Sequence, residues 1–198
     1  MKRSLYFNNL IPKEYVNTQS KKKLAKNFTN IISNIELKID TPNNTFHSLS
    51  KKFKLNFKLS DLNYFKKYKT VVVIGMGGSI LGADAIYNFF QFKVKKNFIF
   101  FDDIDENKIL NLKKYYNIKK ILFLIISKSG NTLETLSNFF SFNIIQKNSK
   151  NIIIVSEKND NLLFQLSKKL NLFHIEIRKY IGGRYSVLSE TGLLPAYL

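Results

Sequence analysis

Five short apolar runs in the last two thirds of the chain place the strongest limit on what it can fold into. Each run holds four to six residues, too few for a helix of ordinary length, and most of its consecutive positions are apolar. This pattern is typical of strands whose two faces are both buried, as in a parallel sheet. The predicted strands are residues 71–74, 98–101, 121–126, 152–155 and 172–177.

The stretches between these runs are amphipathic and have the length of crossover helices. They are residues 80–92, 106–116, 133–146 and 161–170. Strands that alternate with helices indicate an α/β fold, and we predict a doubly wound, Rossmann-like, five-stranded parallel sheet. Ligands bind such sheets beyond the carboxyl ends of the strands. The loops of interest therefore begin at Gly75, Asp102, Ser127, Ser156 and Gly182.

The first third of the chain has a different pattern. Apolar positions such as Ile31, Ile32 and Ile35 recur at helical spacing, and residues 40–44, Asp-Thr-Pro-Asn-Asn, form the clearest break. Such a break favours helices on either side of a turn. We predict an N-terminal helical arm over residues 1–66 and a ligand-binding domain over residues 67–198.

The chain is strongly basic, with 32 Lys and Arg against 14 Asp and Glu and a formal net charge of +18. Such an excess suits nucleic acid, an anionic membrane or an anionic small molecule. The charge is peripheral, because residues 71–92 contain no Lys or Arg. Lys also occurs together with abundant Asn, Ile, Phe and Tyr, which are the residues that AT-rich coding sequences favour. No recognition motif for nucleic acid is visible. We therefore attribute the excess of basic residues to drift in composition, and we expect no nucleic-acid partner.

The sequence shows neither an export signal nor a membrane span. Asn8 and Asn9 interrupt the N-terminal segment before an apolar region of about 7 to 15 residues can form. No run approaches the ~18 apolar residues that would span a bilayer. The chain has no Cys, which excludes disulfides and thiol catalysis and agrees with a reducing compartment. We expect a cytoplasmic protein without a membrane partner.

The loop after the first predicted strand reads Gly-Met-Gly-Gly-Ser-Ile-Leu-Gly, from Gly75 to Gly82. Glycines at the start of a helix let backbone N–H groups approach an anion. As a dinucleotide fingerprint the loop is incomplete, because Ile80 stands where a small residue is needed, although Asp102 is placed to imitate the ribose-binding acid. A tight turn without a ligand is the alternative.

The loop after the third predicted strand is Ser-Lys-Ser-Gly-Asn-Thr, residues 127–132. Its hydroxyls and backbone N–H groups can donate to phosphate oxygens, and Lys128 can supply the compensating charge. We interpret it as a phosphate cradle, with a Ser/Thr-rich helix cap as the alternative. No glycine precedes Lys128 as a Walker motif requires, so nucleoside triphosphate chemistry is not expected.

A third loop, Gly182-Gly183-Arg184-Tyr185-Ser186, follows the last predicted strand. Two glycines relax the backbone there and present a single Arg at the ligand-binding edge of the sheet. A planar guanidinium can pair with phosphate or with a developing oxyanion. A structural turn with a solvated Arg is the alternative.

Taken in order, these three loops resemble the successive signatures of the glucose-6-phosphate isomerase family. The first two are similar to those of any sugar isomerase (SIS) domain, whereas the Gly-Gly-Arg-aromatic-Ser block, continued by Gly192-Leu193-Leu194-Pro195, is much more specific. The resemblance covers residues 70–198. It implies an SIS-type fold and cofactor-free isomerisation of glucose 6-phosphate and fructose 6-phosphate through a cis-enediolate, in glycolysis and gluconeogenesis.

The resemblance also implies roles for individual residues. Those at the sugar phosphate are Gly78, Ser79, Ser127, Lys128, Ser129 and Thr132. Arg184 resembles the family's arginine that stabilises the enediolate. Asn131 stands where the family usually has Thr. Sugar phosphate is the implied substrate, no metal is implied, and the full-length protein is expected to be a homodimer.

The chain also departs from the family pattern. Members are more than twice as long and take a Glu base and a ring-opening His and Lys from the portion after the third loop. We therefore expect a truncated, phosphate-binding half that does not isomerise sugars at family-like rates. Glu190 is interpreted as a solvated helix position, and His47 and His174 as non-catalytic. A non-catalytic SIS module that binds a phosphosugar, or a dinucleotide-binding protein, are the alternatives.

Overall fold

The computed structural model describes Tyr15 and residues 17–198. In this part of the chain, five parallel strands form one sheet in the order β2-β1-β3-β4-β5. They are β1 (Thr70–Gly75), β2 (Asn97–Phe101), β3 (Ile121–Ile126), β4 (Ile152–Ser156) and β5 (Phe173–Glu176). The predicted five-stranded parallel sheet is confirmed, and each strand lies within one residue of its predicted bounds.

Both faces of the sheet are buried, because successive residues of a strand pack into two separate hydrophobic clusters. Val71 and Val73 of β1 face the first cluster, whereas Val72 and Ile74 face the second. All four side chains are fully buried. Burial of one such side chain contributes about 1.5–3 kcal/mol, so the consecutive apolar runs commit these segments to the interior.

Helices cover both faces of the sheet. They are α1 (Thr18–Lys38), α2 (Leu81–Phe90), α3 (Glu106–Tyr115), α4 (Leu133–Ser141), α5 (Leu162–Leu170) and α6 (Glu190–Tyr197). Helices α3, α4 and α5 pack into the second cluster, while Leu194 of α6 packs into the first. None of the helices within residues 17–198 has both the length and the apolar character that crossing a bilayer requires.

Helix α4 is shorter than the predicted helix over residues 133–146. It ends at Ser141, and Asn143 then adopts a φ of 52° while its N–H donates to the Phe140 carbonyl at 3.1 Å. Asn tolerates this left-handed conformation better than most residues. The apolar pattern continues because Ile144 and Ile145 pack against the core as a connector, which made the helix look longer than it is.

Helix α1 makes little contact with the rest of the protein. None of its side chains is buried, and Leu24, Phe28 and Ile31 are each more than half exposed. The helix ends at Lys38, and Asn43 adopts a φ of 64°, so the predicted break at residues 40–44 is confirmed. The part of the predicted arm in residues 1–14 and 16 lies outside the described residues.

The segment between α1 and β1 contains two 3-10 helices, Thr45–Leu49 and Leu59–Lys67. Phe57, Leu62 and Phe65 from this segment are buried in the first cluster. Residues before 67 thus help to cover one face of the sheet. The boundary at residue 66 stays a prediction.

Candidate functional site

The strand order reverses between β1 and β3, because β1 pairs with β2 on one side and with β3 on the other. Loops leaving these two strands diverge, and the crevice between them is where open α/β sheets bind ligands. Gly75 and Ile126 are paired at the ends of the two strands. A Cβ on Gly75 would lie 2.8 Å from the Ile126 carbonyl oxygen, so this spacing requires glycine. The first two predicted loops therefore start side by side.

Three side chains of the second loop form what we call the hydroxyl cluster, namely Ser127, Ser129 and Thr132. The Oγ of Ser127 lies 2.9 Å from Oγ1 of Thr132 and 3.5 Å from Oγ of Ser129. The Ser129 and Thr132 oxygens are 3.3 Å apart. Ser127 is buried whereas Ser129 is exposed. The cluster therefore runs from a buried floor to an open rim.

The first turn of α4 leaves its backbone donors free. Thr132 is the N-cap residue, but its side chain makes no capping hydrogen bond. Within the described residues, the N–H groups of residues 133–135 have no acceptor. Unpaired N–H groups at the positive end of a helix favour an anion. Together with the hydroxyl cluster, they offer several converging donors to a phosphate group.

The ammonium group of Lys128 is paired within the protein. It donates to the Lys179 carbonyl at 2.8 Å and lies 3.4 Å from Oε1 of Glu157. The Glu157 N–H in turn donates to the Lys128 carbonyl at 3.0 Å. Lys128 thus ties the second loop to the segments that follow β4 and β5. Sequence reasoning missed both partners, since neither lies near Lys128 along the chain.

The same loop supplies hydrogen-bond acceptors to the N-terminus of α5. The first N–H group of this helix, that of Leu162, donates to Oδ1 of Asn131 at 2.9 Å. The second donates to the Gly130 carbonyl at 3.2 Å. The third donates to Oδ1 of the N-cap residue, Asn161, at 2.9 Å. Asn161 directly before an amphipathic run is a common cap signal, but nothing in the sequence indicates the contribution of Asn131.

The third loop packs directly on the first. Oγ of Ser186 lies 3.0 Å from the Gly78 carbonyl oxygen and 2.7 Å from that of Gly183, so its single proton is shared between two acceptors. A Cβ on Gly78 would overlap the Gly183 carbonyl. Arg184 is exposed beside this contact, and its guanidinium makes no hydrogen bond or ion pair with the described residues. Ser79 is half-buried before α2. Gly78 and the Arg184 turn are thus brought together at the ligand-binding edge of the sheet.

Glu190 is not solvated, so its interpretation as an exposed helix position is wrong. Its side chain is buried; Oε1 accepts the Asn56 N–H at 3.0 Å, and Oε2 has no partner among the described residues. Burial raises the pKa of Glu190, opposed by backbone N–H groups and by Arg178. The segment around Asn56 covers this carboxyl, a contact between positions 134 residues apart. A local sequence pattern cannot show such a contact.

Both histidines lie in structural positions. Nδ1 of His47 is buried 3.1 Å from the Ile39 carbonyl oxygen. Nε2 of His174, in β5, is 3.0 Å from Oγ of Ser156. Burial lowers the pKa of His174 to about 4, with a smaller effect from Lys158. His174 is thus a hydrogen-bonded histidine on the edge strand β5.

An apolar cavity of about 460 Å³ lies between α2 and α6, away from the hydroxyl cluster. Its lining is mostly apolar, with Tyr87, Phe98 and Pro195 among the residues, although Lys95 and Lys96 also border it. It includes none of the predicted site residues and is therefore separate from the hydroxyl cluster.

The family model described as phosphoglucose isomerase matches residues 13–198. The glucose-6-phosphate isomerase of Methanocaldococcus jannaschii is 37% identical over 172 residues, which are 86% of this chain and 42% of the relative. The probable glucose-6-phosphate isomerase of Methanococcus maripaludis is 37% identical over 148 residues, 70% of this chain and 34% of the relative. The chain thus spans well under half the length of these relatives.

Two solved structures share the fold. The hypothetical protein TT0462 from Thermus thermophilus superimposes with a TM-score of 0.72 at 23% identity, covering 90% of this chain and 45% of that one. A glucose-6-phosphate isomerase from Chlamydia trachomatis gives a TM-score of 0.61 at 26% identity, covering 70% of this chain and 28% of that one. The family match spans nearly the whole chain and includes all three loops, so the chain belongs to the phosphoglucose isomerase family.

Proposed function

We propose that this chain supplies the phosphate-binding part of a glucose-6-phosphate isomerase, which interconverts glucose 6-phosphate and fructose 6-phosphate. The observation that carries the proposal is the hydroxyl cluster beside the free N–H groups of α4, at the point where the strand order reverses. Relatives of the chain bear the name of this enzyme. The family and the geometry together favour a sugar phosphate over other anions.

The phosphate is proposed to bind where Ser127, Ser129 and Thr132 meet the start of α4. Hydroxyl and N–H groups there can each donate a hydrogen bond to a phosphate oxygen. The helix dipole contributes about 0.3–1 kcal/mol of favourable interaction free energy. Lys128 contributes charge from its position in the same loop, although Glu157 offsets part of it. Gly78 and Ser79 are proposed to line the sugar side.

Arg184 is proposed to stabilise the enediolate that forms when a proton moves between C2 and C1 of the sugar. Its exposed guanidinium is free of intramolecular partners among the described residues, so it can pair with a developing oxyanion. Glu190 is not the base in this scheme. Its carboxyl is buried and accepts the Asn56 N–H, so it cannot reach a carbon-bound proton. We propose that the base is a residue other than Glu190.

Calorimetry with fructose 6-phosphate and with fructose tests the phosphate site. The parent chain is expected to bind only the phosphate ester. Ser129→Ala combined with Thr132→Val is expected to weaken binding at least tenfold, and Lys128→Ala to weaken it less, because Glu157 already offsets its charge. Ser141→Ala, which removes an exposed hydroxyl at the far end of α4, is the matched control. Equal binding of fructose and its phosphate would overturn the proposal.

A coupled assay of the purified chain tests the catalytic assignment. A positioned general base contributes about 10² to 10⁴ in rate, so the chain alone is expected to fall short of family-like turnover by at least that factor. Robust turnover lost in Glu190→Gln would show that Glu190 is the base. Phosphosugar binding that persists without turnover, even when the rest of a family member is supplied, would favour a non-catalytic module. A homodimer and a cytoplasmic location stay predictions.

A further inference from the structure

Asn131 is the polar residue of the second loop whose side chain lies outside the hydroxyl cluster. Its Oδ1 accepts the Leu162 N–H of α5 at 2.9 Å, across 31 residues of sequence. The carbonyl of the preceding Gly130 accepts the next N–H of the same helix at 3.2 Å. The loop is therefore held by two consecutive donors of α5.

The backbone of the loop needs such support. Gly130 adopts a φ of 68°, and a Cβ there would overlap Oδ1 of Asn161, the N-cap of α5. The loop thus follows a left-handed path pressed against the start of the helix. Few residues other than glycine adopt that path without cost, and contacts to α5 keep the chain in it.

Asn131 is also bonded to the hydroxyl cluster through its backbone. Its N–H donates to Oγ of Ser129 at 3.4 Å, and that oxygen lies 3.3 Å from Oγ1 of Thr132. One residue therefore joins the fixed end of α5 to the rim of the proposed phosphate site. A shift of its side chain would move the rim hydroxyls.

We propose that Asn131 is a positioning residue: its carboxamide, anchored on the first N–H of α5, holds Ser129 and Thr132 in the arrangement that binds the phosphate of a sugar phosphate. The inference rests on the proposed function of the loop. A hydroxyl side chain such as that of Thr would carry its oxygen one bond closer to the backbone, so the longer Asn side chain provides the reach to Leu162.

Three variants test the anchor. Asn131→Ala removes the acceptor, Asn131→Asp keeps an oxygen at the same place, and Asn107→Ala removes an exposed Asn from α3 as the matched control. Two quantities are measured on the full chain. They are the hydrogen-exchange rate of the Leu162 amide without ligand, by NMR, and the affinity for fructose 6-phosphate, by calorimetry.

Asn131→Ala is expected to speed exchange at Leu162 and to weaken fructose 6-phosphate binding about three- to tenfold, the size expected for one lost hydrogen bond. Asn131→Asp is expected to restore slow exchange at Leu162; because its added negative charge repels the phosphate group, this variant is compared with the parent by exchange alone. Asn107→Ala is expected to change neither quantity. A role in folding alone would lower thermal stability without changing the affinity of the folded chain.

The outcomes separate this inference from the proposed function. If the parent binds fructose 6-phosphate but not fructose, and Asn131→Ala binds it equally well, the positioning role is overturned while the phosphate site stands. If hydrogen exchange at the Leu162 amide is unchanged in Asn131→Ala, the anchoring role of the Asn131 carboxamide is overturned, whatever the result for ligand binding. If the parent fails to distinguish the two sugars, the proposed function falls and the role in phosphate affinity falls with it.

Discussion

Helices α4 and α5 start at the same edge of the sheet, yet their first turns are used in opposite ways. All of the first three N–H groups of α5 have acceptors, from Asn131, Gly130 and Asn161. Those of α4 have none among the described residues. Both helices are of nine residues, so length does not explain the difference. Counting satisfied donors distinguishes a helix end that holds the fold together from one that is open to a ligand.

Two of the three acceptors of α5 come from the loop that precedes α4, and the third is its own N-cap residue, Asn161. Residues 127–132 therefore complete one helix with the carbonyl and carboxamide of residues 130–131 and keep hydroxyls for the start of the other. An orphaned N–H that is buried costs about 1–3 kcal/mol, whereas an N–H facing solvent costs little until a ligand arrives. The contrast indicates a structural role for the start of α5 and supports the proposed binding role for the start of α4.

The largest expected effect is that of Gly130→Ala, which disturbs the start of α5, the helix end whose first three N–H groups all have acceptors. We call this the closed end of α5. A Cβ at a φ of 68° would overlap Asn161, and strain plus overpacking are expected to cost about 2–4 kcal/mol. The free energy of unfolding from urea titration measures this. Gly183→Ala is the control, because its Cβ would meet nothing within 4 Å. Equal losses in the two variants would mean that the closed end of α5 is not rigid.

The two N-cap residues offer a direct comparison of the two helix ends. Asn161→Ala removes an acceptor for an α5 N–H and is expected to cost about 0.5–2 kcal/mol. Thr132→Ala removes a side chain that caps nothing and is expected to cost less than half as much, while fructose 6-phosphate affinity falls only in this variant. Urea titration and calorimetry check the pair. A larger stability loss in Thr132→Ala would reverse the contrast.

The closed side of the site is expected to respond to pH through His174, whose ring packs on Phe164 of α5 at 4.9 Å between centroids. Its pKa is lowered from 6.5 to about 4. Between pH 6.5 and about 4, the His174 imidazole is therefore protonated in the unfolded chain but stays neutral in the folded chain. The free energy of unfolding thus falls as the pH drops through this range. The slope is expected to be shallower in His174→Gln.

Urea midpoints of the parent and His174→Gln, measured between pH 7.5 and 4.5, give this difference while carboxyl titrations common to both cancel. An NMR titration of the imidazole with a midpoint near 6.5 would contradict the expectation.

The smallest expected effect concerns a third helix start, that of α6, where the buried Glu190 carboxyl stands. Burial raises its pKa. Just above the usual carboxyl value, the folded chain therefore keeps a proton on Glu190 that the unfolded chain has lost. Stability is therefore expected to fall as the pH rises above the usual carboxyl value, and this part of the slope is expected to vanish in Glu190→Gln. Thermal midpoints between pH 4.5 and 8 measure it. Parallel curves for the two proteins would refute the assignment.

Much of the fold follows from local patterns. Strands such as β3, Ile121–Ile126, are apolar at every position, and burial of both faces leaves few other arrangements. The positions of the three loops follow from where the strands end.

Contacts between segments far apart in sequence were not predictable. The bond from Leu162 to Asn131 spans 31 residues, and the one from Asn56 to Glu190 spans 134. A polar residue that serves a distant segment has the same local surroundings as one that faces solvent. Glu190 was misread for this reason, and α4 was predicted too long because apolar spacing alone does not mark where a helix stops.

The contact between Ser186 and Gly78, 108 residues apart, has a consequence for how the site opens. The hydroxyl cluster lies within one loop next to the central strands, whereas the Arg184 turn is docked by Ser186, which is buried against Gly78, and by Val187, which packs on Gly82. Separate sets of contacts therefore hold the two, and each set opens with its own free energy. Undocking of the turn would move Arg184 while leaving the hydroxyl cluster formed. Under the proposed function, phosphate capture and oxyanion stabilisation would then be governed by separate local equilibria.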